Sequence, residues 1–349
     1  MTGPNLWDQQ ASNRRKSALL VAGFVLFFAW VGFGGDLAFY LATRDLPPMQ
    51  YHHVIPWIGM IVVAAAGAMV WHAWTSGAER VLWAAGAREV VEPRGLEEKQ
   101  LVNVVEEMAI SAMLPKPRIW IVPDNDPNAF ATGIDTAHAH IAVTEGLLQA
   151  LDREELQGVV AHEFSHIRNL DVRLMTLLAA IVGAVALIGD GLGRYFRFGG
   201  RMGSSRSGGG SGKGGNPLAL VVLVLWVITL ILAPFITRLL AMAVNRKREY
   251  LADATGAELT RNPGALASAL AKLEAAVAPT RAITKGAAHL CIVDPLGRAV
   301  NAVEGGAADL FGSHPPISQR ITRLQGMAYM YAKKNSQAGA DELMRGLTS

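Results

Sequence analysis

Cysteine is nearly missing from this chain. Cys291 is the only one, which excludes an internal disulfide and suits a reducing compartment; it reads as a small buried hydrophobe. Charge is scarce too. Only 17% of the residues are Asp, Glu, Lys or Arg against 51% apolar, with a mean hydropathy of +0.26, too greasy for an ordinary soluble enzyme. The net charge is only +3 and is spread along the flanks of apolar runs, so no nucleic-acid partner is expected. The chain has no internal repeat.

What it has instead is long apolar runs. Four of them, at residues 17–37, 54–74, 174–192 and 218–237, approach or exceed the ~20 residues that cross a bilayer. The first, second and fourth read as membrane spans. The third is truncated by Gly189, Asp190 and Gly191 and reads equally as a buried core helix. Arg14, Arg15 and Lys16 precede the first run like the charged leader of a signal peptide, but the run is too long and lacks a small-residue cleavage site. An uncleaved anchor with a cytosolic N-terminus fits better.

Charge asymmetry sets the expected topology. Arg80, Arg88 and Arg94 follow the second run, and Arg246, Lys247 and Arg248 follow the fourth, so both polar regions belong in the cytosol. One segment disagrees. The Gly/Ser-rich link 193–215 carries Arg194, Arg197, Arg201, Arg206 and Lys213 and no acid, although simple counting puts it outside. Either it is translocated regardless or the flanking segments form a shallow hairpin; its side stays open. The expected division is therefore a cytosolic N-terminus (1–16), two membrane helices (17–75), a cytosolic part (76–173), two membrane segments (174–244) and a second cytosolic part (245–349).

The polar regions read as mixed α+β. Leu101, Val104, Val105, Met108 and Ala112 form a helical stripe, while residues 118–122 and 140–144 are short β-rich runs. Asp152 with Glu155 offers a capping box for the next helix, and Asn262-Pro263-Gly264 opens another, running to about Ala276.

The capped helix carries His162-Glu163-Phe164-Ser165-His166. This HExxH run puts two imidazoles one turn apart on one face, able to reach a single zinc ion, with Glu163 beside the metal's open position. Peptide hydrolysis needs this layout: zinc lowers the pKa of a water, and the glutamate takes its proton during attack on a carbonyl. A catalytic zinc wants a third protein ligand. Glu249 and Asp253 are also at i, i+4 on a probable helix. Glu249 is a candidate ligand and Asp253 a partner for a ligand histidine's other ring nitrogen. Spacing alone also permits a solvated acidic pair that offsets the preceding basic run.

HEFSH, the NRKREYLAD run at 245–253, PNAFATG at 127–133, HIAVT at 140–144 leading to Gly146-Leu147-Leu148, and SHPP at 313–316 followed by Arg320-Ile321 occur in this order. Together they resemble the HtpX family of bacterial membrane-bound zinc metalloproteases, distant relatives of the CAAX prenyl proteases, over essentially the whole chain. The resemblance implies a gluzincin fold, one Zn2+ on His162, His166 and Glu249, and Glu163 as catalytic base. It also implies quality control of membrane proteins under stress, with misfolded membrane proteins and unfolded proteins as substrates. Its membrane segments stand where the four apolar runs do. A homo-oligomer is compatible with the sequence.

Weaker motifs remain. Asn128, Ala129, Phe130 and Ala131 read either as an edge strand holding an extended substrate through main-chain hydrogen bonds or as an internal strand and turn. His314, before two prolines, reads as an oxyanion stabiliser or as a residue packing that turn. Arg320 anchors the same turn or touches a carboxylate near the zinc. His52, His53, His72, His138, His140 and His289 read as structural or surface residues. If the links to residues 174 and 237 stay helical, His166 and Glu249 lie roughly 12–18 Å from the apolar runs, so the zinc is expected just under the cytosolic face. Two other classes fit less well. A catalytically silent zinc-binding scaffold would have no need for Glu163, and a metal transporter would carry ligands inside its spans, where none cluster.

Overall fold

The computed structural model describes residues 6–44, 54–179, 220–229, 246–276, 282, 290–293 and 315–348. The chain divides into two compact units. One comprises Met1–Arg14, Ala78–Thr176 and Ala241–Ser349; the other comprises Arg15–Gly77 and Leu177–Leu240.

The second unit holds most of α1 (Leu6–Thr43) and α2 (Trp57–Ala84), with α7 (Leu220–Thr229). Within α1 and α2, segments Gln10–Leu41 and Trp57–Ala84 are long and apolar enough to cross a membrane. Their outward faces carry Leu26, Ile61 and Trp71, each more than 60% exposed, a pattern that water penalises and a lipid phase accommodates. Asp36, buried in α1, accepts from the Gly59 N–H at 2.5 Å and so caps the orphan donors at the start of α2. Nearby, a Cβ on Gly32 would stand 2.7 Å from Gly59 Cα; two glycines allow the helices this approach. Of the third and fourth apolar runs, only residues 174–179 and 220–229 are among the described ones, and link 193–215 lies outside them.

In the first unit, β1 (Arg88–Glu89), β2 (Arg118–Val122), β3 (Ala129–Gly133) and β4 (Ala139–Thr144) form one sheet in the order β1-β2-β4-β3. β2 and β4 are parallel, with Ile119 opposite Ile141 and Ile121 opposite Val143; β3 runs antiparallel to β4. Apart from the exposed Arg118 at the start of β2, both central strands are buried, as apolar runs covered on both faces are. The helical stripe from Leu101 to Ala112 lies on α3 (Gly95–Ala112) and packs in the core with Ile119, Ile141, Val159, Val160 and Phe164. Each such side chain contributes about 1.5–3 kcal/mol through burial.

After a short α4 (Glu145–Ala150), α5 (Arg153–Arg168) begins at the expected capping box. Asp152 accepts from the Glu155 N–H at 2.9 Å, and the Glu155 carboxylate accepts from the Asp152 N–H at 2.9 Å, a device worth about 1 kcal/mol. A helical stretch at 171–179 (α6) follows. The unit is completed by α8 (Arg246–Thr260), α9 (Pro263–Ala275) and α10 (Ile317–Thr348). α9 opens as expected, with Asn262 accepting from the Ala265 N–H. Two glycines set how closely α5 is approached. A Cβ on Gly158 would meet Leu266 backbone of α9 at 3.0 Å, and one on Gly256 of α8 would meet His162 N at 3.1 Å.

Candidate active site

The contact at Gly256 explains how a His-His-Glu cluster is assembled from two helices. Because α8 presses against the His162 backbone, residues one and two turns earlier on α8 are carried over the HExxH face of α5. Glu249 reaches both histidines: its Oε2 lies 3.6 Å from His162 Nε2, and its Oε1 lies 3.6 Å from His166 Nε2. The two Nε2 atoms are themselves 3.2 Å apart. One ligand atom from each of His162, His166 and Glu249 falls within 4.8 Å of the others.

Each imidazole is oriented from behind. His162 Nδ1 is 3.0 Å from Asp253 Oδ1, though the ring N–H is not aimed squarely at it. His166 Nδ1 is 3.1 Å from Asp171 Oδ2. If both Nδ1 atoms donate, both Nε2 lone pairs face each other and a carboxylate with no proton between them. A proton or a metal ion relieves that arrangement, and two imidazoles with one carboxylate are a donor set that fits one metal ion. Burial lowers the His162 pKa, but the Asp253 and Glu249 carboxylates outweigh it and raise it to about 9. A cation on Nε2 replaces the proton they favour.

Arg320 ties this frame together. Fully buried, its fork donates to both Asp253 oxygens at 2.8 and 2.7 Å and to the Ile292 carbonyl at 2.8 Å. Its Nη1 also lies 3.4 Å from Glu249 Oε2. Of the two roles the sequence left open for Arg320, the contact with carboxylates is the one found. Burial pushes the Asp253 carboxyl up, yet Arg320 holds it down at about 2.

Glu163 points into the same space. It is 1% exposed, and neither carboxylate oxygen has a well-formed hydrogen bond among the described residues. Burial raises its pKa; the His162 and His166 charges pull the other way, with a weaker pull from the Ala131 N–H. Glu163, His166, Glu249, Ala131, Val172, Met175, Arg248 and Leu290 line one pocket.

The expected substrate strand is β3 with Asn128 before it, at the sheet's edge. At Ala129 and Phe130, however, that edge is met by the chain itself: Ile292 N–H donates to the Ala129 carbonyl at 2.9 Å, and Phe130 pairs with Cys291. Asn128 holds the arrangement, its side chain donating to the Val293 carbonyl at 2.9 Å. Ala131 is the strand residue that borders the pocket. His314 lies outside the described residues. His140 accepts from the Trp120 indole at 3.1 Å, and His138 pairs with Asp135; both stand apart from the site.

Sequence reasoning missed Asp171. An acid five residues past the second histidine, just beyond the helix end, was the available signal.

The sequence model of Peptidase family M48 matches residues 95–328. The chain belongs to peptidase family M48. Membership makes it a metalloprotease, a peptide hydrolase, and the HtpX resemblance holds. A "Protease HtpX homolog" of Lactobacillus helveticus (strain DPC 4571) is 39% identical over 325 residues, covering 92% of this chain and 100% of that protein. The one of Thermoanaerobacter pseudethanolicus (strain ATCC 33223 / 39E) is 38% identical over 329 residues, covering 94% and 99%. That of Dictyoglomus thermophilum (strain ATCC 35947 / DSM 3960 / H-6-12) is 44% identical over 257 residues, covering 74% and 78%. Among solved structures, "Crystal Structure of S. mikatae Ste24p" aligns with a TM-score of 0.42 at 18% identity, covering 91% of this chain and 66% of that one. For an M48 peptidase a metal is implied, and the His-His-Glu cluster can hold it.

Proposed function

We propose that this chain is a membrane-bound zinc endopeptidase, with zinc on His162, His166 and Glu249 and with Glu163 as the general base. The observation that carries the reading is the convergence of three ligand atoms within 4.8 Å on a pocket that Glu163 also lines. Bound there, zinc supplies Lewis acidity, lowering the pKa of a water and polarising a peptide carbonyl. Glu163, whose carboxyl burial raises, takes the water's proton and returns it to the leaving amine. Asp253 and Asp171 hold the two imidazoles in the tautomer that leaves Nε2 for the metal. Glu163 distinguishes the enzyme from a silent scaffold, because a structural site has no use for a buried, poorly partnered carboxylate.

A peptide lies along the pocket beside Ala131, its main chain read more than its side chains, which suits broad sequence tolerance. The apolar helices anchor the chain in a bacterial inner membrane, and the basic residues after them put the catalytic parts in the cytosol. In the sequence, His166 stands eight residues before the apolar run that begins at 174, and Glu249 stands twelve after the one that ends at 237. Substrates are then misfolded or damaged membrane proteins whose loops emerge at that face, along with unfolded proteins under stress.

Protein purified in detergent with chelator, then given zinc, should degrade an unfolded test protein. Glu163→Ala should bind zinc normally and lose at least about 100-fold in turnover. Undiminished cleavage by Glu163→Ala would remove Glu163 from the mechanism.

A further inference from the structure

The polar face of the first turns of α1 reaches the metal helix. Gln10 Nε2 donates to the Arg168 carbonyl at 2.8 Å, and Asn13 Nδ2 donates to the Asn169 carbonyl at 2.8 Å. Both acceptors belong to the C-terminal end of α5, where carbonyls lack intrahelical partners. Asn13 does more than cap. Its Nδ2 also donates to Asp171 Oδ1 at 2.7 Å, and Asp171 Oδ2 is the atom facing His166 Nδ1.

We infer that Asn13 is a positioning residue of the metal centre: it fixes the Asp171 carboxylate so that His166 presents Nε2 to the ion. Two acceptors on one amide leave Asn13 a single useful orientation, and both Asn13 and Asp171 are at least 95% buried. Arg248 Nη1 also pairs with Asp171 Oδ1, but at 3.5 Å it stands farther off than the Asn13 amide at 2.7 Å. With Oδ1 held by the amide, Oδ2 is left to accept from His166. The amino-terminal turns of the first apolar helix are therefore part of the metal site, although they lie far from HExxH in sequence. The inference rests on the zinc reading above.

The test measures zinc affinity of the full-length protein in detergent, by competition with a chromophoric chelator, beside thermal unfolding of the zinc-free forms. Asn13→Ala should bind zinc about tenfold more weakly, and in an Asp171→Ala background it should add less than about twofold. Gln10→Ala, which loses only a helix-end contact, should stay within about twofold of the unaltered protein. Asn13→Asp keeps the volume but sets a carboxylate against Asp171, and should weaken zinc at least as much as alanine does. Unchanged affinity in Asn13→Ala overturns the inference, as does a loss additive with Asp171→Ala or matched by Gln10→Ala. If both Asn13 variants fail to fold even with zinc, Asn13 is a folding residue and the positioning role is wrong. Absence of zinc binding by the unaltered protein would instead sink the zinc reading itself.

Discussion

Replacing Arg320 with methionine should be among the most damaging single changes outside the metal ligands. The guanidinium is fully buried and makes two charge-assisted bonds to Asp253, at 2.8 and 2.7 Å, and a third to the Ile292 carbonyl. Hydrogen bonds to charged groups contribute about 1.5–3 kcal/mol each, but they share one ion pair here and do not simply add. The better guide is the cost of orphaning a buried partner, about 3–5 kcal/mol. For a unit of this size that lowers the unfolding midpoint by roughly 6–20 °C. The assay is thermal unfolding of the zinc-free protein in detergent at neutral pH. Arg320→Lys keeps the charge but not the planar fork, so it should fall between methionine and the unaltered protein. Adding Asp253→Asn to Arg320→Met removes the orphaned charge and should recover part of the loss. A midpoint drop under about 3 °C for Arg320→Met, or no recovery in the double variant, would refute the reasoning.

Gly256→Ala should separate packing from metal geometry. Its Cβ would meet His162 N at 3.1 Å, whereas that of Gly158→Ala meets Leu266 backbone at 3.0 Å. Both should destabilise by about 1–3 kcal/mol, but only Gly256→Ala should also weaken zinc, measurably in chelator competition, because it shifts α8 and Glu249; equal zinc affinities would count against that geometry. His140 supplies a pH dependence. Burial, and then the Arg118 charge, lower its pKa to about 4 from the usual 6.5. The unfolded chain then takes up a proton that the fold refuses, so this contribution is whole above about pH 6.5 and is lost as pH falls toward 4. Unfolding midpoints at pH 7 and pH 5 should differ less for His140→Gln than for the unaltered protein, and an identical difference would exclude His140 as a source of acid sensitivity.

The legible features were those whose cause lies within a few residues. The capping box at Asp152 and Glu155, the Asn262 cap and the stripe from Leu101 to Ala112 each follow from contacts one turn apart, and all appear in the fold. The HExxH spacing likewise carries its geometry with it. Glu249 and Asp253 were ambiguous from spacing alone, because only the helix packed against them distinguishes a pair that faces the histidines from a solvated one. Gly256 sets that packing, and no local pattern marks it. The exposed and internal readings of residues 128–131 could not be separated by spacing, because residues 290–293 return to the outer edge of β3 from more than 150 positions away. Asn13 was out of reach for the same reason, being joined to Asp171 across 158 positions. Single hydrogen bonds at such separation leave no periodicity to read.

The most direct test of the account is zinc X-ray absorption on the purified, zinc-loaded protein, read beside its Glu249→Ala variant. One zinc per chain is expected, with two imidazole nitrogens at about 2.0–2.1 Å and oxygen neighbours from one carboxylate and water, the carboxylate being lost in the variant. A shell containing sulfur, or one that Glu249→Ala leaves unchanged, would contradict it.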